Sequence, residues 1–446
     1  MYDAIYIENL GRPAVPFVYQ YFINDARSAA SSKGMPGLRV TLENIVSEST
    51  DKEEIETGVK NALSEAIANL TRPLNAEEKA PRPKEPEKPA RIVFKGSLTE
   101  VNRFFYKRGW TDGLPIIPPT EEAVAEMLTG TDLPADHIVA TLVPRRGKAT
   151  VEKIAVNAVM AGCLPTYMPL LIAGVKALLN NKGADMMAVS TGSWAPFWII
   201  NGPIRQALNL NSSYGAMNPG EIATMTIGRA LGLITKNIRG IRKGIEDMGV
   251  LGNPGKFAMV AAESEEDNPW EPLHVEHGLK KEDSAISLTF PQSYDQLYPY
   301  GTDDMGLLRT VMFNLAPNRL GITGVILTPT NARSLAKRGW TKQSIKKYVM
   351  ENAKVPFDHD PHYYHGGIFT EAGKDQKLKP GDQVPIIGPN PQGENIIQIY
   401  VFGGMGSWVG IATGGGFICT EKADLPKNWE ALVKKYKDLA PNYVRY

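Results

Sequence analysis

Two apolar segments in succession, residues 151–162 and 166–179, restrict the fold more than any other feature of this sequence. Apolar residues of the first segment recur at the spacing of one helix face: Ile154, Ala155, Ala158 and Val159. Gly162 breaks that helix, and Pro165 prevents the chain from continuing it. Thr166 is placed to cap the second helix. The pattern predicts two apolar helices joined by a sharp break.

Cys163 lies in that break. A thiol near a helix N-terminus feels the positive end of the helix, so we expect a moderately lowered pKa and a candidate nucleophile. The alternative is a buried structural cysteine in an apolar hairpin. The other cysteine is Cys419, and two cysteines cannot form a disulfide framework, which is typical of a reducing cytoplasm.

Composition narrows the class of protein. The 446 residues suffice for two or three domains, and 43% hydrophobic with 22% charged residues is ordinary for soluble proteins. A net charge of +1 gives no argument for a nucleic acid or membrane partner. No uncharged apolar run reaches the ~18 residues of a membrane span, and the first residues do not resemble a secretion signal. We expect a cytoplasmic protein.

The N-terminal part, residues 1–72, is expected to form a small β-α-β-α lobe. The predicted elements are a strand over 4–7, a helix over 17–31, a strand over 38–46, and a helix that Thr50 and Glu53 cap. So small a unit buries too little surface to fold alone. It must be completed by the rest of the chain or by another protein.

Residues 73–90 hold five prolines among charged residues and read as an extended linker. The main α/β domain then covers residues 91–446, with a mixed or mostly parallel sheet and room for two subdomains. It opens on a helix with a Ser97–Glu100 capping box, and the sequence KRGWT ends this helix and recurs at 337–341. We interpret the recurrence as two helices that end on the same C-terminal capping sequence.

Several polar residues lie where an α/β protein places a site. Arg145 and Arg146 come just before the helix that leads to Cys163, a reasonable position for binding an anion, although a solvated basic turn is the alternative. Asp112 stands in a rigid, proline-rich loop, where a simple Asx-turn is equally compatible. Asn201 follows a strand-like run, at the edge where α/β sheets bind ligands.

Further candidates complete the set. Asn157 lies on the helix before Cys163, and Arg229 lies on a later helix. Gly404 and Gly406 follow a long apolar strand and would allow a ligand to approach the backbone, although the segment is no nucleotide-binding motif.

The histidines concentrate in two short stretches. His274 and His277 flank Glu276 and are candidates for moving protons. The second stretch contains His359, His362 and His365. Neither stretch has the spacing of a zinc site, so we predict no metal.

Several segments together resemble one known family: TDGLPIIPPT, TLVPRRGKATVEKIAVNAVMAGCLP, NGPI, TIGRAL, GKF and WEPLHVEHG. They are similar to the C-terminal region of the family named for its U-G-S-C motif, which has selenocysteine and cysteine members. Residues 1–72 resemble the second half of the redox-motif domain of that family. This chain has no U-G-S-C or C-G-S-C segment. The resemblance therefore implies that the redox motif lies on a separate polypeptide.

These observations combine into one interpretation. The chain is expected to be a subunit of a cytoplasmic hetero-oligomeric enzyme, an oxidoreductase that uses a thiol or selenol on a small anionic substrate. Reductive cleavage of a carbon–heteroatom bond is suggested by analogy alone. Two alternatives stay open. One is a cysteine-dependent lyase or hydrolase that needs no partner, and the other is a non-catalytic substrate-binding or scaffold subunit. The cofactor and the substrate are not predicted.

Overall fold

The protein has a mixed α/β fold, as its sequence predicts. The computed structural model describes residues 1–46, 49, 51–79, 90–315, 323–356, 379, 381–385, 397–414 and 417–439. Over these residues, no helix combines the length and the apolar composition needed to cross a bilayer.

The N-terminal unit is built around two short parallel strands. Its elements are α1 (Tyr2–Asn9), β1 (Phe17–Tyr19), α2 (Ile23–Ser32), β2 (Thr41–Glu43), α3 (Lys52–Thr71) and α4 (Ala76–Lys79). The predicted order β-α-β-α is found, but shifted along the chain, since residues 4–7 belong to a helix and the first strand begins at Phe17. So short an apolar run does not distinguish a strand from a helical turn. Asp51, not Thr50, caps α3.

The linker also begins later than we expected. Arg39 binds the carboxylate of Glu78 at 2.7 Å and donates to the carbonyl oxygens of Asn69, Arg72 and Pro73. This single guanidinium folds the segment after α3 back onto the N-terminal unit. The expectation of an extended chain from residue 73 is therefore wrong for residues 73–79, and residues 80–89 lie outside the described part.

The described part of the main body contains two four-stranded sheets, two antiparallel pairs of strands (β3 with β4 and β10 with β11), and the helices that cover the large sheets. Its strands are β3 (Ile138–Leu142), β4 (Gly147–Thr150), β5 (Phe197–Asn201), β6 (Met259–Ala262), β7 (Ala285–Thr289), β8 (Ser293–Leu297), β9 (Thr323–Leu327), β10 (Lys354–Pro356), β11 (Gln383–Pro385), β12 (Ile397–Val401), β13 (Val409–Thr413) and β14 (Cys419–Lys422). Its helices are α5 (Leu98–Lys107), α6 (Glu121–Leu128), α7 (Val151–Ala161), α8 (Met168–Asn180), α9 (Ala184–Ala188), α10 (Ile204–Ala207), α11 (Ile222–Ile234), α12 (Gly255–Ala258), α13 (Leu273–Glu276), α14 (Asp304–Asn314), α15 (Pro329–Lys337), α16 (Lys342–Asn352) and α17 (Trp429–Tyr436).

The two large sheets have the same strand arrangement. The first has the order β14-β7-β5-β6, and the second has the order β12-β9-β13-β8. In each sheet one parallel pair, β5 with β6 or β9 with β12, is extended by antiparallel strands. Each half of the main body gives its last strand to the sheet of the other half. Strand β8, which follows β7 in the chain, pairs with β13 of the second sheet, and β14, which follows β13, pairs with β7 of the first sheet. This exchange interlocks the two halves of the main body.

The sheets pack face to face between two layers of helices. Along β5, Trp198 and Ile200 point to the core shared with α7, α8 and α11, while Phe197 and Ile199 point to the second sheet. The ring of Phe197 meets Tyr400 of β12 edge to face, 6.0 Å between centroids. The other face of the second sheet packs against α14, α15 and α16. Both faces of the central strands are buried, which explains their continuous apolar runs.

Most predicted helix ends are confirmed. Ser97 and Glu100 form the capping box of α5, and Trp110 packs edge to face on Phe105 at 5.4 Å. Gly162 ends α7 in the left-handed conformation, with φ of 89°. The prediction for Thr166 is wrong, because this residue lies in a 3-10 turn, Pro165–Tyr167, and α8 begins after it.

One buried carboxylate joins the carboxyl ends of the two sheets. Glu263 follows β6 and is fully buried. Its oxygens accept hydrogen bonds from the side chains of Asn201 (2.7 Å) and Asn268 (3.1 Å) and from the backbone N–H groups of Leu273 (2.8 Å) and Val401 (3.3 Å). These partners belong to both sheets and to α13, so the carboxylate connects separate layers of the fold.

We expect Glu263→Gln to lower the free energy of unfolding by at least about 2 kcal/mol. A hydrogen bond to a charged group is worth about 1.5–3 kcal/mol, and the amide cannot accept from all four donors. Urea denaturation of the full chain measures the loss. The control is Glu282→Gln at an exposed position, which should stay within about 0.5 kcal/mol of the parent. Equal stability of the two variants would contradict this role of Glu263.

Candidate functional site

A cleft of about 1190 Å³ opens between the segment 91–96 and the main body. Its inner wall comes from α7 and from a π-helical turn, Thr235–Arg239, that extends α11. Such turns occur frequently at functional sites, because they displace side chains from the regular helix pattern. The cleft is therefore our candidate functional site.

Local structure fixes the polar groups of the inner wall. The Asn237 side chain donates to the Oδ1 atom of Asn157 (2.8 Å) and to the carbonyl oxygen of Trp110 (3.0 Å). Asn157 in turn donates to the carbonyl oxygen of Lys153 within α7 (2.9 Å). Lys236 donates to the carbonyl oxygen of Thr111, and burial lowers its pKa. The π-helical turn is thus anchored to α7 and to the loop after α5.

The cleft has more positive charge than its own carboxylates neutralise. Lys95, Arg108, Arg145 and Lys236 line it, and within the described residues none of them has a carboxylate at ion-pair distance. Unneutralised cations around one cavity attract an anion. Arg145 and Asn157 were predicted binding residues, and the structure places both in the cleft. Lys236 and Asn237 were missed, since a lysine and an asparagine near a helix end give no specific sequence signal.

Asp112 and Arg229 form a bidentate ion pair instead of two separate site residues. The distances are 2.7 Å from Nε to Oδ2 and 3.0 Å from Nη2 to Oδ1, and Arg229 also donates to the carbonyl oxygen of Pro115 (2.7 Å). Asp112 further accepts from the N–H of Leu114, the predicted Asx-turn. The pair holds the proline-rich loop onto α11. The expected roles in catalysis and substrate binding are therefore not supported by the geometry.

Arg146 was the second predicted anion ligand beside Arg145. Its side chain is exposed and is not part of the cleft lining, and its backbone has a positive φ of 56°. This left-handed conformation turns the chain between β3 and β4, so that neighbouring arginines point in different directions. The alternative of a solvated basic residue fits Arg146.

The thiol of Cys163 is buried and protonated. Its Sγ atom donates to the carbonyl oxygen of Thr226 at 3.3 Å. Burial raises its pKa to about 12, and the nearby charge of Arg229 offsets only part of this. The expectation of a lowered pKa is wrong, because the 3-10 turn separates the thiol from the start of α8 and desolvation outweighs a helix end. Burial likewise raises the pKa of Cys419 to about 12, with Glu421 contributing.

The predicted histidines and Asn201 lie between the sheets and not in the cleft. His274 is fully buried, and neither of its ring nitrogens is hydrogen-bonded to any residue that the structure describes; its Nδ1 lies 4.0 Å from Oε1 of Glu265. His277 contacts the hydroxyl of Thr420 at 2.6 Å, and burial lowers its pKa. Asn201 binds Glu263, as described above. Asn201 and His277 are hydrogen-bonded within the layer between the sheets, and His274 is buried beside them, so their expected roles with the substrate are not supported.

The glycine loop accommodates a side chain of this protein. A Cβ atom on Gly404 would stand 2.1 Å from Cδ1 of Tyr214, and the Tyr214 hydroxyl donates to the carbonyl oxygen of Met405 (3.1 Å). The carbonyl oxygen of Gly406 accepts from the hydroxyl of Thr328. At Gly404 the backbone is closely approached by Tyr214 of this chain, which occupies the place that we expected a ligand to take. His359, His362 and His365 lie outside the described residues.

We expect iodoacetamide to label Cys163 at pH 7.5 at least a hundredfold more slowly in the native protein than in urea. A pKa near 12 leaves very little thiolate compared with an ordinary thiol of about 8.5. Mass spectrometry of the labelled peptide measures the rate.

The same raised pKa predicts a dependence of stability on pH. The unfolded thiol ionises first, so its contribution to stability is complete below about pH 8.5 and is lost as the pH rises toward 12. Rapid native labelling of Cys163 at neutral pH would contradict both expectations.

Comparison with known proteins identifies a family for one part of the chain. The model of the UGSC family matches residues 1–72. No curated protein and no solved structure matches the chain. The match lies in the N-terminal unit, and the segments that resemble the C-terminal region of the family lie outside it, in the main body. The resemblance to the UGSC family that the sequence indicates is thus confirmed over residues 1–72, which are similar to that family.

Proposed function

We propose that this protein is the substrate-binding subunit of a hetero-oligomeric enzyme whose reactive thiol or selenol lies on a second polypeptide. One observation carries the proposal. The N-terminal unit matches a family named for a redox motif, yet both cysteines of this chain have a pKa raised to about 12. A thiol with such a pKa is a poor nucleophile at neutral pH.

The cleft is the place where this chain would hold the substrate. Its unneutralised cations, Arg108, Arg145 and Lys236 among them, favour an anion. Asn157 and Asn237, which are hydrogen-bonded to each other, would fix the orientation of polar groups. Because Cys163 is not part of the cleft lining, the reacting group would have to reach the cleft from outside this chain.

The proposed chemistry is the reductive cleavage of a carbon–heteroatom bond. The balanced step is R–X + 2 R′SH → R–H + HX + R′S–SR′, in which the partner supplies a dithiol or a selenol–thiol pair. The two electrons that break the R–X bond come from this pair, which is oxidised to a disulfide or selenosulfide. The carbon and the heteroatom each take up one proton. The cations of the cleft would orient the anionic part of R during this step.

The N-terminal unit has a surface suited to such a partner. Helix α3 buries only small residues, and it exposes an apolar stripe at helical spacing: Val59, Leu63, Ile67 and Leu70. Strands β1 and β2 pair in parallel over three residues each. Parallel sheets of known proteins are covered on both faces, and a two-stranded sheet is marginal in water. These features favour a partner chain that adds to the sheet and covers α3.

The buried thiols also bear on the alternatives. A cysteine-dependent lyase or hydrolase without a partner would need a reactive thiol in this chain, which the raised pKa of Cys163 and Cys419 disfavours. A non-catalytic binding subunit shares the cleft and the docking surface with our proposal. It differs in that its partner would carry no redox-active thiol or selenol.

We expect Leu63→Glu to abolish association with the partner. Purified from its native cells, the parent chain should co-elute at fixed stoichiometry with a polypeptide carrying a U-G-S-C or C-G-S-C segment, identified by mass spectrometry. A charge in the apolar stripe should disrupt this complex, because an unpaired charge is costly to bury. The control is Asn61→Glu, which adds the same charge to the opposite, exposed face of α3 and should preserve the complex.

Circular dichroism and the melting temperature of the isolated chain verify that both variants fold. The proposal is contradicted if the parent elutes as a monomer from native cells, or if its partner has no reactive thiol or selenol. Equal association of the two variants would place the interface elsewhere than on α3.

A further inference from the structure

We propose that the ligand of the cleft is a polyanion that carries a planar aromatic ring, bound with its ring on Trp110 and its anionic groups at Lys236 and Arg145. This inference rests on the proposed function of the cleft as an anion site. It adds the class of ligand and names Trp110 as a residue that determines specificity.

The size of the cleft exceeds that of a simple anion. Pockets for drug-sized ligands usually measure about 300–1,000 Å³, and this cleft has about 1190 Å³. An isolated phosphate or short carboxylate would leave most of this volume to water. A ligand with an extended body would fill more of the cleft than a simple anion does.

The charges indicate more than one anionic group. Lys95, Arg108, Arg145 and Lys236 have no carboxylate partner within the part of the chain that the structure describes. The acidic residues of the lining do not neutralise them, since Glu121 binds Arg91 at 2.8 Å and Glu122 lies at the start of α6. A ligand with several negative charges would satisfy these cations.

Aromatic side chains line the same cleft. The ring of Trp110 is 37% exposed and meets Phe105 edge to face at 5.4 Å, and the guanidinium of Arg108 lies over it, 5.8 Å from its centroid. Phe94 of the segment 91–96 is also 37% exposed and stacks on Phe104, 4.4 Å between centroids. A partly exposed aromatic ring that lines a cavity can stack with a planar ligand.

The ring and the cations are close neighbours along the wall. The carbonyl oxygen of Trp110 accepts from Asn237, and the next carbonyl oxygen, that of Thr111, accepts from Lys236. The backbone of Gly240 in turn packs against the side chain of Arg145. A single ligand can therefore contact Trp110 with a ring and the cations with its charged groups. Nucleotides and aryl phosphates share this chemistry.

Isothermal titration calorimetry of the full chain at low salt tests the inference. The probes are ATP, inorganic triphosphate, adenosine, phenyl phosphate and inorganic phosphate. We expect ATP to bind at least tenfold more tightly than triphosphate or adenosine. If phenyl phosphate also binds more tightly than phosphate, the site takes aryl anions in general. If it does not, the site is specific for nucleotides, and either result supports a ring-bearing anion.

Substitutions test separately which residue binds the ring of the ligand and which binds its anionic groups. We expect Trp110→Ala to weaken ATP binding about tenfold and to leave triphosphate binding unchanged, and Trp110→Phe to retain most of the affinity. The control is Trp408→Ala, an exposed tryptophan that does not line the cleft. Arg145→Ala should weaken ATP and triphosphate alike, whereas Arg146→Ala should change neither.

The experiment distinguishes a failure of the aromatic part of the inference from a failure of the anion cleft itself. Equal affinity for ATP and triphosphate, or no effect of Trp110→Ala, would overturn the aromatic part and leave the anion cleft intact. If none of the anions binds, or if Arg145→Ala has no effect on their binding, the anion cleft of the proposed function is wrong as well. The proposed partner is tested separately by co-elution.

Discussion

The hydrogen-bonded carboxylate of Glu263 is the interaction on which the arrangement of the two sheets depends. It is fully buried, and its oxygens accept from both sheets and from α13. A buried carboxylate is tolerated only where donors replace its lost hydration. The backbone N–H of Val401 and the side chain of Asn201 can both serve only if the carboxyl ends of β12 and β5 converge. The requirement to solvate one charge therefore fixes the relative position of two layers.

Other charged and polar residues between the sheets are also buried with partners, and some of them resemble catalytic groups. Lys342 is buried and binds Glu276 at 2.7 Å, with its Nζ 3.7 Å from Glu263. His277 contacts Thr420, which in turn contacts Ser287 at 2.7 Å. Histidine, lysine and glutamate in close contact suggest a reactive centre. Here they fill the polar side of the inter-sheet layer, whereas Phe197 and Tyr400 fill its apolar side.

The N-terminal unit is held beside the cleft by a second buried carboxylate. Glu246 accepts from Ser28 of α2 at 2.6 Å and binds Arg242, which lines the cleft. Burial, together with the charge of Glu246, raises the pKa of Asp25 in α2 to about 6. The unit that matches the UGSC family model thus contacts the same segment that contributes cations to the cleft. This position favours a proposal in which a partner docked on that unit delivers a reactive group to the cleft.

The sequence by itself determined the features that depend on nearby residues. The α/β class follows from apolar periodicity, and the ends of α5 and α7 follow from a capping box and from Gly162, because helix-end chemistry acts within a few residues. Only the tertiary structure decided which polar residues meet. It paired Asp112 with Arg229, 117 positions apart, and it buried Cys163 against Thr226. The pKa of a group, and whether a cationic side chain has a carboxylate partner, depend on neighbours from distant segments. For that reason the sequence marked Arg145 and Asn157 but could not show that Lys236 and Trp110 share their cleft.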